Sequence, residues 1–384
     1  MRVLIVGAGV AGMTLAALLE RRGIRSTLVE RAPDFEHAGY MLGLYSLGSR
    51  VLHGLGLYER FAAEAVPMTH YAVFDGHGEL IKKYEMGTIT DRFGPILNTT
   101  RPDLIQLLQS GLGDVEIRFG TSVDRIDQPP EGADESGVRV ALSDGTEEEF
   151  DLVVGADGLH STVRKLVFGE QPYFHTEWGG WVWWREGDIE DPGTTSEFWG
   201  AGRFMGAYPT PRGIGVFGGA PLGDDYGKPG EGRRDRISKH FTGWNEQVDG
   251  LLDALPPDDA DLFFWKLSDV RSAEWVRGGV VLMGDSAAGF LPTAGIGASM
   301  AMESAAVLAD ELSRTDVAFL GRALDLYTKR RKARVEAIQD DSRKLARMMF
   351  VQSGPIAALR DFATRFYSLE MLAADLTKAF DQPI

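Results

Sequence analysis

The order of apolar and polar positions divides the chain into regions of two kinds. Residues 2–6 are almost wholly apolar, which predicts a buried parallel strand, and residues 11–22 have the pattern of a packed helix. Residues 26–30 predict a second short strand. A strand, a helix and a strand in this order are typical of the first unit of a doubly wound sheet, so the predicted fold class is α/β.

The rest of the chain alternates between this α/β pattern and a pattern that is typical of β-sheet. Residues 173–220 are rich in aromatic residues and glycine, with proline turns, which predicts an antiparallel sheet. The other predicted elements are helices at 49–64, 101–109 and 297–312, a hairpin at 71–86, strands and turns at 115–150, buried strands at 151–156 and 280–283, and helices from 318 onward.

The α/β texture occurs on both sides of the β-rich region. This predicts one nucleotide-binding domain built from separate segments, with a β-sheet substrate domain inserted and a helical segment at the end. The predicted boundaries are 1–70, 98–172 and 273–316 for the nucleotide-binding domain, 71–97 and 173–272 for the substrate domain, and 317–384 for the C-terminal helical segment.

Composition narrows the possible partners of the 384-residue chain. Its 40 Lys and Arg against 56 Asp and Glu give a net charge of −16, which makes nucleic acid and membrane surfaces poor partners. It has no cysteine, and its 7 histidines are scattered, so no metal site is expected. The apolar run 3–19 contains glycines at a meaningful spacing, and we interpret it as a strand and a helix in a cytoplasmic protein, not as a signal peptide. The oligomeric state stays open.

The first chemical motif is a glycine loop between the first predicted strand and helix. Gly7 permits a tight turn, Gly9 lets the backbone approach a pyrophosphate, and Gly12 allows close packing of the helix on the strand. Val10 and Ala11 begin the helix, whose free N–H groups and positive dipole face the phosphates. This context indicates a dinucleotide, with FAD and NAD both possible from the residues alone.

A carboxylate and a second glycine pattern refine that interpretation. Glu30 ends the second strand, where it can accept hydrogen bonds from ribose hydroxyls, and its charge would repel the 2′-phosphate of NADP. Residues 213–218 also fit GxGxxG, but prolines surround them and no strand–helix context is predicted. We interpret this second pattern as a chance match.

Two further motifs follow the other buried strands. Asp157 and Gly158 end one strand, and the simplest interpretation is a turn followed by a helix cap, formed by either Ser161 or Asp157. Asp285 ends another and can bond a ribityl hydroxyl, while the backbone N–H groups of 295–298 can face a developing negative charge. Residues 284–288 nearly match the nucleophile elbow of serine hydrolases, but Ala288 replaces the last glycine, so that class is disfavoured.

Together and in this order, the three motifs resemble those of the group A FAD-dependent monooxygenases, the family of para-hydroxybenzoate hydroxylase and of the tetracycline-inactivating monooxygenases. The resemblance covers almost the whole chain. It implies a discontinuous, Rossmann-like FAD-binding domain. The FAD-binding residues that it implies are Gly7, Gly9, Val10, Ala11, Gly12, Glu30, Arg31, Arg101 near the phosphates, Asp157, Asp285 on the ribityl chain, and Pro292, Gly295, Gly297 and Ala298 beside the isoalloxazine ring.

The chain departs from the family pattern at two positions. Many members have Ala-Ala-His after the second aspartate motif, where this chain has residues 286–289, Ser-Ala-Ala-Gly. Many also have Glu-Asp in the next helix, where this chain has Glu303 and Ser304. Both departures bear on flavin mobility and not on the presence of FAD.

The resemblance also implies a reaction. NADH or NADPH reduces FAD, O2 adds at the flavin C4a atom, and the hydroperoxide hydroxylates or epoxidises a small apolar or aromatic molecule. No second dinucleotide fold is evident in the sequence, so the nicotinamide cofactor is expected to bind transiently. The amides of 295–298 are predicted to stabilise the anionic reduced flavin, and no side chain is assigned as acid or base.

The β-rich region supplies candidate substrate contacts. Trp181, Trp183 and Arg185 alternate, so on a strand they share one face, and Tyr208 and Phe217 fall on neighbouring predicted strands. Aromatic side chains with one cation suit a conjugated substrate that carries an acidic hydroxyl or carboxylate. The alternative is that the tryptophans are core residues.

Other functions of the same fold remain open from the sequence. The Trp-Val-Trp of 181–183 is similar to the W-x-W motif of flavin halogenases, but the residues after it do not continue that motif. A reductase or dehydrogenase, and a non-catalytic FAD-binding protein, are the remaining alternatives. The inserted, pocket-forming sheet favours an enzyme.

Overall fold

The computed structural model describes residues 1–35, 39–129, 137–187, 189–223, 232–372 and 380–381. Its strands are, in chain order, β1 Arg2–Val6, β2 Arg25–Glu30, β3 Met41–Leu44, β4 Val66–Pro67, β5 His70–Asp75, β6 Leu80–Glu85, β7 Leu97–Thr100, β8 Glu116–Phe119, β9 Val123–Asp127, β10 Val138–Leu142, β11 Glu147–Phe150, β12 Leu152–Gly155, β13 Tyr173–Arg185, β14 Thr194–Gly200, β15 Arg203–Thr210, β16 Gly213–Pro221, β17 Phe263–Val270, β18 Val276–Arg277 and β19 Val280–Leu282.

The helices connect these strands and form the end of the chain. They are α1 Val10–Glu20, α2 Ser46–Gly54, α3 Tyr58–Glu64, α4 Gly87–Phe93, α5 Arg101–Ser110, α6 Thr162–Phe168, α7 Arg233–Phe241, α8 Glu246–Leu252, α9 Gly297–Leu312, α10 Leu320–Met349, α11 Gly354–Thr364 and α12 Leu369–Leu372. Residues 373–379 and 382–384, which the sequence also predicts as helical, lie outside the described residues.

A six-stranded sheet in the order β18-β19-β12-β1-β2-β8 forms the centre of the nucleotide-binding part. Strand β1 runs parallel to both neighbours, with Ile5 aligned to Val154 and to Leu28. Leu4 and Ile5 point to opposite faces, yet both are fully buried, so both faces of the sheet are covered. The predicted α/β class is confirmed, and the strand that follows α1 completes the expected βαβ unit.

One local prediction, a single helix at 49–64, is wrong, and another, that the glycine pattern at 213–218 is a chance match, is confirmed. The helix predicted at 49–64 is two helices, α2 and α3, because Gly56 has a left-handed φ of 66° that ends the first one. The glycine pattern at 213–218 lies inside strand β16, which confirms that it is a chance match. The short sheets β11-β10-β9 and β3-β7-β4 complete the topology of the described residues.

The inserted region is a seven-stranded sheet in the order β17-β13-β16-β15-β14-β5-β6. Its two faces pack against different partners. One face contributes Phe217 and Val182, which are aligned across β16 and β13, to the core that continues under the six-stranded sheet. The other face packs against α7 and α8 and forms a second, separate core. Both faces of this sheet, which is antiparallel except for the parallel pair β5 and β14, are therefore largely buried.

The long helix α10 braces the loops that approach the predicted flavin site. Gln339 donates a hydrogen bond to the carbonyl of Val270 at 2.9 Å, and Arg343 forms an ion pair with the buried Asp269 at 2.6 Å. Thr293 donates to the carbonyl of Ser342 at 2.9 Å. Although α10 has 30 residues, neither it nor another helix in the described ranges combines the length and apolar character that a bilayer span requires.

Candidate active site

The three predicted FAD motifs meet at one edge of the six-stranded sheet. Gly7 has a φ of 105°, and a Cβ atom there would lie 2.6 Å from the carbonyl oxygen of Ala156, so only glycine fits. The backbone N–H of Gly158 donates to the hydroxyl of Ser286 at 3.0 Å, and that hydroxyl donates to Asp157 at 3.1 Å. The loops after β1, β12 and β19 are therefore in direct contact, as the sequence predicts.

The start of α1 is open toward this edge. A Cβ atom on Gly12 would lie 1.9 Å from a backbone oxygen of the preceding loop, so the helix can pack this closely only with glycine there. Gly9 is the N-cap, and no side chain caps the helix. The backbone N–H groups of Val10 and Ala11, which have no partner among the described residues, are thus available to an anion. A Cβ atom on Gly284 would lie 3.0 Å from that of Ala11, which places the third motif beside the helix start.

Charged residues line the same groove. Glu30 fixes the glycine loop, because its carboxylate accepts hydrogen bonds from the backbone N–H groups of Ala8 at 2.8 Å and Ala32 at 3.0 Å. The Arg101 guanidinium lies 3.8 Å from the position of a Cβ atom on Gly9, where it can neutralise phosphate charge. Arg31 is exposed and forms no hydrogen bond or ion pair with the other described residues.

Asp285 stands in this groove with a carboxylate that the protein does not satisfy. It lies in the short 3₁₀ helix Gly284–Ser286, is partly buried, and accepts no hydrogen bond from the described residues. Burial raises its pKa to about 6, while the positive charges of Arg101 and Arg164 act in the opposite direction. Such a carboxylate needs hydroxyl donors from a ligand, so the groove fits the ribityl chain of FAD.

Asp157 is used differently. Its carboxylate accepts hydrogen bonds from the hydroxyl of Ser161 and the N–H of Thr162, both at 2.6 Å, and from the N–H of Val163 at 3.1 Å. Ser161 in turn caps α6 by accepting from the N–H of Arg164 at 2.9 Å. The helix-cap interpretation therefore accounts for the carboxylate, and its direct contact with FAD stays a prediction.

Ser286, one of the departures from the family pattern, holds two motifs together, and its removal should be measurable. We expect Ser286→Ala to lower the free energy of unfolding of the apoprotein by about 1–3 kcal/mol, because the N–H of Gly158 loses its buried acceptor. Urea unfolding measures this. Ser353→Ala is the control, since Ser353 is exposed and its hydroxyl bonds no described residue. Equal stability of the two variants would contradict the role of Ser286.

The loop before α9 forms the opposite side of the groove. Pro292 begins a 3₁₀ turn, and Gly295 has a left-handed φ of 61°. Helix α9 then starts at Gly297 and Ala298 without a side-chain cap, so its first N–H groups also face outward unpaired by side chains. The hydroxyl of Tyr45 supports the loop by donating to the carbonyl of residue 294 at 3.1 Å. This arrangement matches the predicted site for the flavin ring.

The structure corrects part of the predicted substrate wall. Trp181 and Trp183 are completely buried in the second core, under α7 and α8, and the indole N–H of Trp183 donates to the carbonyl of Leu251 at 3.0 Å. Arg185 has the same strand parity and is exposed. The prediction that the two tryptophans line the substrate wall is wrong, because their side chains pack in this core, whereas a substrate contact of Arg185 stays a prediction. The alternative, that the tryptophans are core residues, is confirmed.

Tyr208 and Phe217 lie on the other face of the sheet, toward the groove. Tyr208 is aligned with Gly215, whose missing Cβ atom would lie 2.9 Å from the side chain of Met41 on β3. Phe217 contacts Trp265, with ring centroids 5.6 Å apart. Strand β3 therefore packs against this face, and the role of Tyr208 and Phe217 as substrate contacts stays a prediction.

Sequence reasoning missed the polar centre of this face. Glu197 on β14 is buried, and it accepts hydrogen bonds from the hydroxyls of Tyr71 at 2.5 Å and Tyr208 at 2.9 Å and from the indole N–H of Trp199 at 2.9 Å. Burial raises the pKa of Glu197, and these hydrogen bonds oppose the shift. Burial, followed by the charge of Glu197, also raises the pKa of Tyr45 to about 12.

Known proteins resemble this chain in sequence. The family described as the FAD binding domain matches residues 1–198 and 244–342. A 3-amino-4-hydroxybenzoate 2-monooxygenase of Streptomyces platensis is 32% identical to it, and the match covers 94% of this chain and 91% of that protein. The 2-heptyl-3-hydroxy-4(1H)-quinolone synthase of Pseudomonas aeruginosa is also 32% identical, over 89% of this chain and 88% of that protein.

The fold is shared with a solved flavoprotein. HpxO of Klebsiella pneumoniae, in complex with FAD and uric acid, superposes with a TM-score of 0.88 at 24% sequence identity, covering 99% of this chain and 96% of the other. The family resemblance inferred from the three motifs is confirmed. The chain belongs to the FAD-binding-domain family and is an FAD-dependent monooxygenase.

Proposed function

We propose that this enzyme uses NADH or NADPH and O2 to hydroxylate an electron-rich aromatic or heteroaromatic ring. The observation that carries the proposal is the aromatic face of the seven-stranded sheet, where Tyr208, Phe217 and Trp265 share the side that packs against β3. Rings of this size stack well on aromatic side chains. One relative, by its name, oxygenates 3-amino-4-hydroxybenzoate and another produces a hydroxyquinolone, which supports the same class.

The residues of the groove would divide the work of holding FAD. The start of α1 and Arg101 would bind the pyrophosphate, and Asp285 would bind ribityl hydroxyls. The N–H groups at the start of α9 would lie at the flavin ring and favour negative charge there. When bound, FAD would supply electron transfer from the nicotinamide cofactor and activation of dioxygen. The aromatic face would orient the substrate ring and exclude water.

Isotope transfer from dioxygen tests the proposed reaction. The FAD-loaded protein is mixed with NADH or NADPH and a panel of phenols, aminobenzoates and hydroxyquinolines. We expect at least one ring to accelerate cofactor oxidation and to gain one oxygen atom from isotopically labelled O2, measured by mass spectrometry. Cofactor oxidation that yields only hydrogen peroxide with every ring would contradict the proposed substrate class. A halide-dependent halogenated product would instead favour the halogenase alternative.

A further inference from the structure

In the polar centre of the substrate face, which consists of Glu197, Tyr71 and Tyr208, the tyrosines donate and the glutamate accepts the hydrogen bonds. Glu197 is the buried carboxylate that accepts hydrogen bonds from the hydroxyls of both Tyr71 and Tyr208. A phenol has one proton and two lone pairs. Once the O–H group donates its hydrogen bond to a carboxylate, the phenol oxygen can only accept further hydrogen bonds. Both tyrosines therefore offer lone pairs and no proton.

The hydroxyl of a third tyrosine, Tyr45, is also already used as a hydrogen-bond donor. The hydroxyl of Tyr45 donates to the carbonyl of Ala294, an atom that can only accept, so the proton of Tyr45 is also committed. Tyr45 lies close enough to Glu197 and Tyr208 for their charges to influence one another. All three tyrosines are half-buried, with part of their surface open. The protons of all three phenols are thus directed to acceptor atoms of the protein.

The acceptors of these phenols are not filled by the protein. In the described part of the chain, no N–H or O–H group donates to the hydroxyl oxygens of Tyr71 or Tyr208. The ring of Tyr208 lies over Gly206, where a Cβ atom would be 2.4 Å from it, and this brings the hydroxyl to Glu197. The lone pairs of these oxygens are therefore available to a ligand that brings a donor.

We propose that Glu197 is a specificity-determining positioning residue, which turns the protons of Tyr71 and Tyr208 away from the substrate so that the site selects a ring bearing a neutral hydroxyl or N–H group and rejects a carboxylate at this point. The inference rests on the proposed function, because it assumes an aromatic ligand between the sheet and the flavin loop. Glu197 acts through the two tyrosines and does not itself need to touch the substrate.

Three fluorinated probes of similar size test the selection on the FAD-loaded protein. 4-Fluorophenol carries a donor, 4-fluoroanisole has the same ring without one, and 4-fluorobenzoate carries an anion. Fluorine NMR measures the dissociation constant of each. We expect 4-fluorophenol to bind about tenfold more tightly than the other two, which corresponds to one buried hydrogen bond gained.

Substitution of Glu197 should change the ratio of affinities. In Glu197→Gln the side-chain amide N–H can donate to the oxygen of one phenol. The O–H group of that phenol can then turn and donate to the ligand. The preference for 4-fluorophenol should then fall about tenfold, to near parity. A merely structural role would weaken all three probes equally and leave the ratio unchanged, and that result would overturn the inference.

Matched variants on the same sheet complete the test. Tyr84 stacks near Tyr71, with ring centroids 6.1 Å apart, and its buried hydroxyl has no partner among the described residues, so Tyr84→Phe should leave the ratio unchanged. Tyr208→Phe removes an acceptor and should lower the preference, and it decides the question if Glu197→Gln does not fold. If the wild type bound 4-fluorobenzoate more tightly than 4-fluorophenol, the inference would be overturned while the proposed function would stand. Failure of all three probes to bind would overturn the proposed substrate class as well.

Discussion

Asp285→Ala is expected to raise the dissociation constant of FAD by about tenfold to a hundredfold, without destabilising the apoprotein at pH 8. The first effect follows because a carboxylate that accepts hydrogen bonds contributes about 1.5–3 kcal/mol to binding. Asp285 is partly buried and accepts no hydrogen bond from the described residues, so these bonds are available to the ligand. Flavin fluorescence during titration measures the constant, and flavin retained after desalting gives a second readout.

The stability of the apoprotein distinguishes loss of binding from loss of folding. The pKa of Asp285 is raised from 3.8 to about 6 by burial, so the folded apoprotein binds this proton more tightly than the unfolded chain. Asp285 therefore stabilises the apoprotein below pH 4, and this contribution is lost as the pH rises through about 6. Relative to the wild type, the variant should gain stability between pH 5 and pH 8.

An exposed aspartate is the control for this prediction. Asp253 is exposed, and its carboxylate forms no hydrogen bond or ion pair with the described residues, so Asp253→Ala should change neither FAD affinity nor the pH dependence. Wild-type FAD retention by Asp285→Ala would contradict the assigned role. A fall in the stability of apo Asp285→Ala at pH 8 would show that the carboxylate has a partner within the protein.

The flavin groove could be predicted from sequence because each of its parts is local. A buried strand, a glycine loop and a helix follow one another within a few residues, as at Gly7, Gly9 and Gly12. The carboxyl ends of parallel strands then meet at one edge of a sheet, which brings Asp285 to the same place without further assumptions. The cap role of Asp157 is seen only in the structure, and its contact with FAD stays a prediction.

The substrate face could not be predicted in the same way. Both faces of β13 are largely buried, so its apolar residues do not alternate with polar ones and the pattern does not tell which face meets the groove. A register shift between His175 and Gly179 further interrupts the count. Glu197 was missed because its partner Tyr71 lies 126 residues away, on a strand that pairs in parallel with β14. Such pairings are set by the tertiary fold and leave no local signal.

Trp183→Ala is expected to lower the free energy of unfolding by about 3–5 kcal/mol and to leave the selection among aromatic probes unchanged. The side chain is completely buried between the sheet and α8, and its removal leaves a cavity. The substitution also leaves the carbonyl of Leu251 without the hydrogen bond that the indole N–H donates to it. A loss of this size is a large fraction of the stability of an ordinary domain. Urea unfolding of the FAD-free protein measures it.

Phe217→Leu is the matched variant on the opposite face of the same sheet. Phe217 borders the proposed substrate space and contacts Trp265, so its truncation should weaken binding of 4-fluorophenol more than it lowers stability. The two variants should therefore show reversed patterns: stability lost with selection kept for Trp183→Ala, and ligand affinity lost with most stability kept for Phe217→Leu. If Trp183→Ala instead folded with wild-type stability and bound the probe weakly, Trp183 would belong to the substrate wall, and the assignment of the two faces would have to be reversed.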